Sequence, residues 1–123
     1  MARILIVDDD ATVNASLAAY LEDFDHLPVV AENGEDALEM LTDSAVELAL
    51  IDLRLPGMNG EQLIVQLYER CGVRHFLIHT GAVHYSLPDS LLALGITPAQ
   101  VLYKPLADLS LLLDAINREL SRQ

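Results

Sequence analysis

The chain has 123 residues, the size of one domain, and 52% of them are hydrophobic, enough for a substantial core. Its 19 acidic and 7 basic residues give a formal net charge of −12. Such a surface repels phosphate backbones and anionic lipid, so direct binding to nucleic acid or membrane is not expected. The single cysteine, Cys71, allows no internal disulfide, and the apolar run after Arg3 is too short for a signal peptide or a spanning helix. A cytoplasmic location is therefore expected.

The hydrophobic pattern switches between strand and helix along the whole chain. Apolar runs of strand length predict five strands, at residues 4–7, 27–31, 46–51, 76–78 and 101–103. Apolar residues at helical spacing predict a helix after each strand, over residues 13–24, 37–41, 63–67, 91–94 and 109–120. Strict alternation of this kind predicts one α/β domain over residues 1–123, with a parallel sheet covered by helices on both faces.

Carboxylates follow two of the predicted strands. Asp8 and Asp9 come directly after the first strand, and Asp52 comes directly after the third. Ligand sites in parallel sheets lie at the carboxyl ends of the strands, so we expect these acids to meet. Clustered carboxylates repel one another unless a cation lies among them. The sequence therefore predicts a Mg²⁺ site, with Asp9 and Asp52 as direct ligands and Asp8 acting on the metal or its water.

Two more strand ends carry polar groups suited to a phosphorylated carboxylate. Thr80 ends the fourth strand with a hydroxyl, and Lys104 follows the fifth with an ammonium. A carboxylate at the position of Asp52 can bind a metal, act as a base, or attack phosphorus as a nucleophile. Because phosphoryl transfer needs mainly positioning and charge neutralisation, this set of groups favours phosphoryl chemistry at Asp52.

Four segments together resemble the receiver domains of two-component response regulators, and the resemblance covers essentially the whole chain. They are Asp8-Asp9, the loop Asp52-Leu53-Arg54-Leu55-Pro56-Gly57-Met58-Asn59-Gly60, Thr80-Gly81 and Lys104-Pro105. The resemblance implies a flavodoxin-like, doubly wound five-stranded sheet with strand order 2-1-3-4-5. It implies that Asp52 accepts a phosphoryl group from a sensor histidine kinase or a histidine phosphotransfer protein. It also implies that Asp8, Asp9, Asp52 and the backbone carbonyl of Arg54 hold Mg²⁺.

The resemblance further implies a switch in which phosphorylation moves Thr80 and changes the face formed by helix 4, strand 5 and helix 5. A downstream protein or an output domain would read that face. Family members commonly carry an aromatic residue three positions before the strand-five lysine, whereas this chain has Val101. Tyr103, two residues later on the same strand face, is the candidate substitute. Pro88 and Pro98 bracket the fourth helix and predict that it is short or redirected.

Several residues outside the main set have simpler interpretations. Asp10 is expected to cap the first helix, and His79 is expected to fill the core or the surface. Tyr85, Leu106 and Leu111 are candidates for an exposed apolar patch that supports docking or a homodimer.

Two other functions stay open from the sequence. Asp8-Asp9-Asp10-Ala11-Thr12 also looks like the nucleophile loop of haloacid-dehalogenase-type phosphatases, with Asp8 attacking and Asp10 as the acid/base. A pseudo-receiver that binds partners without phosphorylation is the third reading, and Val101 keeps it open. If the chain is a receiver domain, it is not expected to be a turnover enzyme, and no output domain is expected after its last helix.

Overall fold

The computed structural model describes residues 2–122, in which strands and helices alternate as predicted. The elements are β1 (Arg3–Val7), α1 (Ala11–Asp23), β2 (Leu27–Ala31), α2 (Gly34–Met40), β3 (Leu48–Asp52), α3 (Gly60–Cys71), β4 (Phe76–Thr80), α4 (Asp89–Leu92), β5 (Val101–Tyr103) and α5 (Ser110–Leu120). All pairings are parallel and the order is β2-β1-β3-β4-β5, which confirms the predicted flavodoxin-like, doubly wound sheet. Within the described part of the chain, no helix has both the length and the apolar character needed to cross a membrane.

The sheet separates two hydrophobic cores because successive strand residues point to opposite faces. Leu5 and Val7 of β1 pack in the core beneath α2, α3 and α4, while Ile4 and Ile6 pack beneath α1 and α5. The three inner strands β1, β3 and β4 are almost wholly buried, as their continuous apolar runs predicted. The edge strands β2 and β5 remain partly exposed.

Several predicted bounds differ from those of the structure, and the fourth helix, which is short as Pro88 and Pro98 predicted, shows the clearest cause. It spans Asp89–Leu92 rather than residues 91–94, because Pro88 occupies its N-cap and the chain leaves it through Gly95 at φ +88°. Pro98 then begins a short 3-10 helix, Pro98–Gln100, directly before β5. The third strand begins at Leu48 rather than at residue 46 and extends to include Asp52.

The loop after β3 is fixed by the start of α3. Asn59 caps this helix in a reciprocal capping box with Gln62. Gly60 lies so close to the preceding loop that a Cβ atom there would stand 2.3 Å from the Asp52 carbonyl oxygen. Only glycine allows this approach, so the turn-rich sequence holds α3 directly against the end of β3.

Candidate functional site

Three carboxylates meet at the carboxyl edge of the sheet. The pairing of Val7 with Ile51 aligns the ends of β1 and β3, so the residues that follow β1 lie beside Asp52. One carboxylate oxygen from each of Asp8, Asp9 and Asp52 lies within 4.8 Å of the other two. Asp8 and Asp52 are buried, whereas Asp9 is exposed. The structure thus brings together the three acids that the sequence singled out.

Lys104 places its ammonium between the two buried carboxylates. Its Nζ lies 2.8 Å from Oδ2 of Asp8 and 3.3 Å from Oδ2 of Asp52. The lysine is held there because its backbone N–H donates to the Thr80 carbonyl at 2.7 Å, continuing the β4–β5 pairing. One ammonium faces three carboxylates, so the site keeps an excess of negative charge.

The environment shifts the pKa values of Asp52 and Lys104. Burial raises the pKa of Asp52, and the Asp8 charge adds to this, while the Arg54 N–H and Lys104 act in the opposite direction. Burial alone would lower the pKa of Lys104, but its hydrogen bond to Asp8 and the charges of both acids outweigh it, so that pKa is raised. Lys104, which is shared between two buried acids, therefore stays charged. It does not fully offset the effect of burial on the Asp52 carboxylate.

Backbone N–H groups orient both buried acids. The Asp10 N–H donates to Oδ1 of Asp8 at 2.9 Å, and the Arg54 N–H donates to Oδ1 of Asp52 at 3.2 Å. Asp10 itself caps α1 by accepting from the N–H groups of Thr12 and Val13, as predicted. The predicted metal contact of the Arg54 carbonyl stays a prediction.

Thr80 lies at the end of β4, one strand over from Asp52. Its side chain is buried, and its Oγ1 accepts from the Ala82 N–H at 3.2 Å. The two candidate switch residues lie on the neighbouring strand, where Val101 is half-buried and Tyr103, paired with Thr80, is 42% exposed. Whether either of them moves on activation stays a prediction.

The structure separates the residues of the predicted apolar patch. Leu106 and Leu111 lie together with Tyr103 beside β5 and α5. Tyr85 instead packs against the core beneath α3 and α4, and its hydroxyl donates to the Glu61 carboxylate. The sequence gives no signal for this long-range pair, so the inclusion of Tyr85 in the patch was wrong.

Two further buried polar residues lie near the acids. Of the two locations left open for His79, the structure shows the core, and burial lowers its pKa to about 4, with Lys104 adding to the effect. Asn14 was missed, although an amide between the apolar helix positions Val13 and Leu17 is a usable signal. Its side chain is buried and donates to the Asp8 carbonyl at 2.7 Å.

The donor set fits a hard divalent cation. Carboxylate oxygens are preferred ligands of Mg²⁺, which is usually held by one or two of them and keeps several waters. Because Asp9 is exposed, one side of the acid group is open to solvent. The excess negative charge and the raised pKa of Asp52 would both be relieved by such a cation.

Comparison with known proteins places the whole sheet and site in one family. The sequence model described as "Response regulator receiver domain" matches residues 4–117. Protein PilH of Pseudomonas aeruginosa is 43% identical over 67 residues, which are 54% of this chain and 55% of that protein. The Regulator of RpoS of Escherichia coli is 29% identical over 114 residues, covering 93% of this chain and 33% of that protein. The matches thus span about half or less of these relatives.

Solved structures agree with this grouping. A CheY-like response regulator receiver domain protein of Methanospirillum hungatei shares 30% identity, with a TM-score of 0.80 and coverage of 98% of this chain and 94% of that one. The BeF3-activated N-terminal receiver domain of RstA from Klebsiella pneumoniae shares 26% identity, with a TM-score of 0.78 and coverage of 98% and 99%.

Proposed function

The chain belongs to the response regulator receiver domain family, and we propose that it is a phosphoacceptor domain in which Asp52 takes a phosphoryl group from a histidine. The donor would be a sensor histidine kinase or a histidine phosphotransfer protein. The observation that carries the proposal is the position of Lys104 Nζ, which contacts both Asp8 and Asp52 within the acid group. Receiver domains are signalling domains, so we expect one phosphorylation event per signal rather than substrate turnover.

The proposed reaction moves one phosphoryl group from nitrogen to oxygen. A carboxylate oxygen of Asp52 attacks phosphorus in line with the P–N bond, and the electron pair of that bond stays on the imidazole nitrogen. Asp52 must be ionised to attack, and the Arg54 N–H and Lys104 favour the ionised form despite burial. The Lys104 ammonium and the Thr80 hydroxyl would then donate to two phosphoryl oxygens.

The metal in this proposal is Mg²⁺, which Asp8, Asp9, Asp52 and the Arg54 carbonyl would hold. When bound, it supplies positive charge beside the phosphoryl oxygens, which phosphoryl transfer requires. The orientation of the acids comes from the chain itself, through the backbone N–H groups that hold the Asp8 and Asp52 carboxylates.

Phosphorylation would be read through a change on the α4–β5–α5 face. An aspartyl phosphate adds about −1.5 to −2 charges and three acceptor oxygens at neutral pH. Thr80 Oγ1 now accepts from the Ala82 N–H, so turning the hydroxyl toward phosphate would release the start of the loop before α4. A downstream protein, an output domain or a second copy of the chain would bind near Tyr103 and Leu111, which are exposed on this face.

Amide NMR with Mg²⁺ and beryllofluoride, which mimics an aspartyl phosphate, tests the proposal. We expect saturable shifts around the site in the wild type, none in Asp52→Asn, and normal shifts in the control Asp10→Asn, an exposed helix cap. A response that survives in Asp52→Asn and disappears in Asp8→Asn would overturn the proposal in favour of a phosphatase-like site. If Mg²⁺ binds but beryllofluoride changes nothing in the wild type, the chain is a receiver that binds partners without phosphorylation.

A further inference from the structure

Asn14 fixes the backbone that carries the acid pair. It lies in the first part of α1 with only 2% of its surface exposed. Its Nδ2 donates to the Asp8 carbonyl at 2.7 Å and reaches the Ala31 carbonyl at the end of β2 at 3.4 Å. The Asp8 N–H also donates to the Ala31 carbonyl, at 3.3 Å. The peptide groups on both sides of Asp8 are therefore tied to neighbouring elements.

The same amide carries an unsatisfied atom. Within residues 2–122, Oδ1 of Asn14 is buried and has no hydrogen-bond partner. Turning the amide over would place Oδ1 against two carbonyl oxygens, so the hydrogen bonds to Asp8 and Ala31 determine its orientation. A buried orphan acceptor is unfavourable, and it offsets part of the stability that the hydrogen bonds to the two carbonyls contribute. Stability alone therefore gives the amide little advantage over an apolar side chain of similar size.

The acid pair needs a restraint that its own side chains do not provide. The carboxylates of Asp8, Asp9 and Asp52 repel one another, and Lys104 contacts only the two buried ones. In the described part of the chain the exposed Asp9 carboxylate makes no hydrogen bond, so its direction depends on the backbone between β1 and α1. The Asn14 amide holds that backbone at the carbonyl that joins Asp8 to Asp9.

We propose that Asn14 is a positioning residue for the Mg²⁺ site, a role that rests on the proposed function. It fixes the Asp8–Asp9 backbone so that both carboxylates face Asp52 in the absence of metal. The residue does not touch the metal, and it acts through the Asp8 carbonyl. Loss of groups that orient metal ligands typically weakens metal binding by about 10- to 100-fold, and we place Asn14 at the lower end.

The test compares Asn14→Leu and Asn14→Ala with wild type, using Ser16→Ala, an exposed position of the same helix, as the matched control. Mg²⁺ alone is titrated against the amide resonances of Asp9 and Asp52, and thermal unfolding is followed without metal. We expect the Mg²⁺ dissociation constant to rise about tenfold in both Asn14 variants. Ser16→Ala should match wild type. Asn14→Leu should lower the unfolding temperature only slightly, because removal of the orphan acceptor offsets part of the cost of leaving the Asp8 carbonyl without its donor.

Wild-type Mg²⁺ affinity in either folded Asn14 variant would overturn the positioning role. If the leucine variant does not fold, the smaller alanine substitution decides. A purely structural role predicts a lower unfolding temperature with unchanged Mg²⁺ affinity in the folded protein. Failure of the proposed function has a different signature, because wild-type protein would then bind no Mg²⁺ at Asp52 or give no beryllofluoride response.

Discussion

Two ionic clusters, each built around buried carboxylates, lie at opposite edges of the sheet, and they are built on opposite principles. The acid cluster, defined here as Asp8, Asp9, Asp52 and Lys104, lies at the carboxyl edge. It has three carboxylates and one ammonium, and burial raises the pKa of Asp52 even beside that ammonium. The ends of β1, β3 and β5 bring these charges together, and the negative charges outnumber the positive one.

The second cluster consists of His75, Gln100, Glu119 and Arg122. We call it the base cluster because of its position at the opposite edge of the sheet, where β4 and β5 begin and α5 ends. Buried Glu119 accepts from Arg122 Nη1 at 2.9 Å and lies 3.1 Å from His75 Nδ1. Arg122 also donates to Gln100 at 2.7 Å, and Gln100 donates in turn to the Phe76 carbonyl at 2.9 Å. Both oxygens of the buried carboxylate therefore have a partner.

The contrast separates a cluster whose charges are balanced from one that keeps an excess of negative charge. A balanced, fully bonded cluster should lose stability when its acid is neutralised, because the partners lose their acceptor. A cluster with excess charge should gain stability when one acid is neutralised. The sign of the change therefore tells the two kinds apart.

Removing the cation of the acid cluster should have the largest effect. Lys104→Met leaves Asp8 and Asp52 buried without a counter-charge, and we expect a loss of about 3 kcal/mol in the free energy of unfolding. Millimolar Mg²⁺ should recover part of this loss, because a bound cation replaces the missing charge. Urea unfolding with and without MgCl₂ measures both effects. Equal stability of variant and wild type in metal-free buffer would contradict the contrast.

Neutralising the acid of the base cluster should come next. Glu119→Gln keeps the shape but removes the negative charge to which Arg122 donates, and its NH₂ group faces either Arg122 or His75. We expect a loss of about 1.5 kcal/mol, the low end of the range for hydrogen bonds to charged groups because Arg122 is exposed, with no dependence on Mg²⁺. Glu69→Gln, an exposed acid on α3, is the control and should match wild type in urea unfolding. A gain in stability for Glu119→Gln would place both clusters in the same class.

The same kind of substitution in the acid cluster should act in the opposite direction. Asp52→Asn removes a buried charge that faces Asp8, and we expect a gain of about 1 kcal/mol at pH 7 without Mg²⁺. Because the folded-state pKa of Asp52 lies above its unfolded value of 3.8, the charge destabilises the wild type fully only above the folded pKa. The gain should therefore shrink as the pH falls through that pKa toward 3.8. Unfolding curves from pH 7 to pH 4 measure it, and a gain that grows on acidification would contradict this reasoning.

The two clusters also differ in how far the sequence predicts them. The acids at the ends of β1 and β3 were predictable, because each follows an apolar run and strand order brings the ends together. The base cluster was not predicted, because Glu119 looks like any polar position of an amphipathic helix until the fold brings it to His75, 44 residues away. Asn14 carried a weak signal within an apolar stripe, and Tyr85 carried none. Contacts set by regular strand geometry are thus predictable, whereas single long-range side-chain pairs are not.

The smallest expected effect concerns Tyr85, whose hydroxyl links the loop between β4 and α4 to α3. Among residues 83–87, the hydroxyl of Tyr85 makes the one side-chain hydrogen bond to another element, donating to Glu61, and burial together with that carboxylate raises its pKa. The hydroxyl therefore stays a donor at neutral pH. Tyr85→Phe should lower the free energy of unfolding by only about 0.5–1 kcal/mol, because the ring keeps its packing. It should, however, lower the NMR order parameters of residues 83–87 on the picosecond-to-nanosecond timescale.

Tyr103→Phe, at an exposed tyrosine, is the matched control and should leave these order parameters unchanged. Unchanged order parameters in Tyr85→Phe would mean that packing alone holds this loop, and that Thr80 can move without breaking a bond to α3.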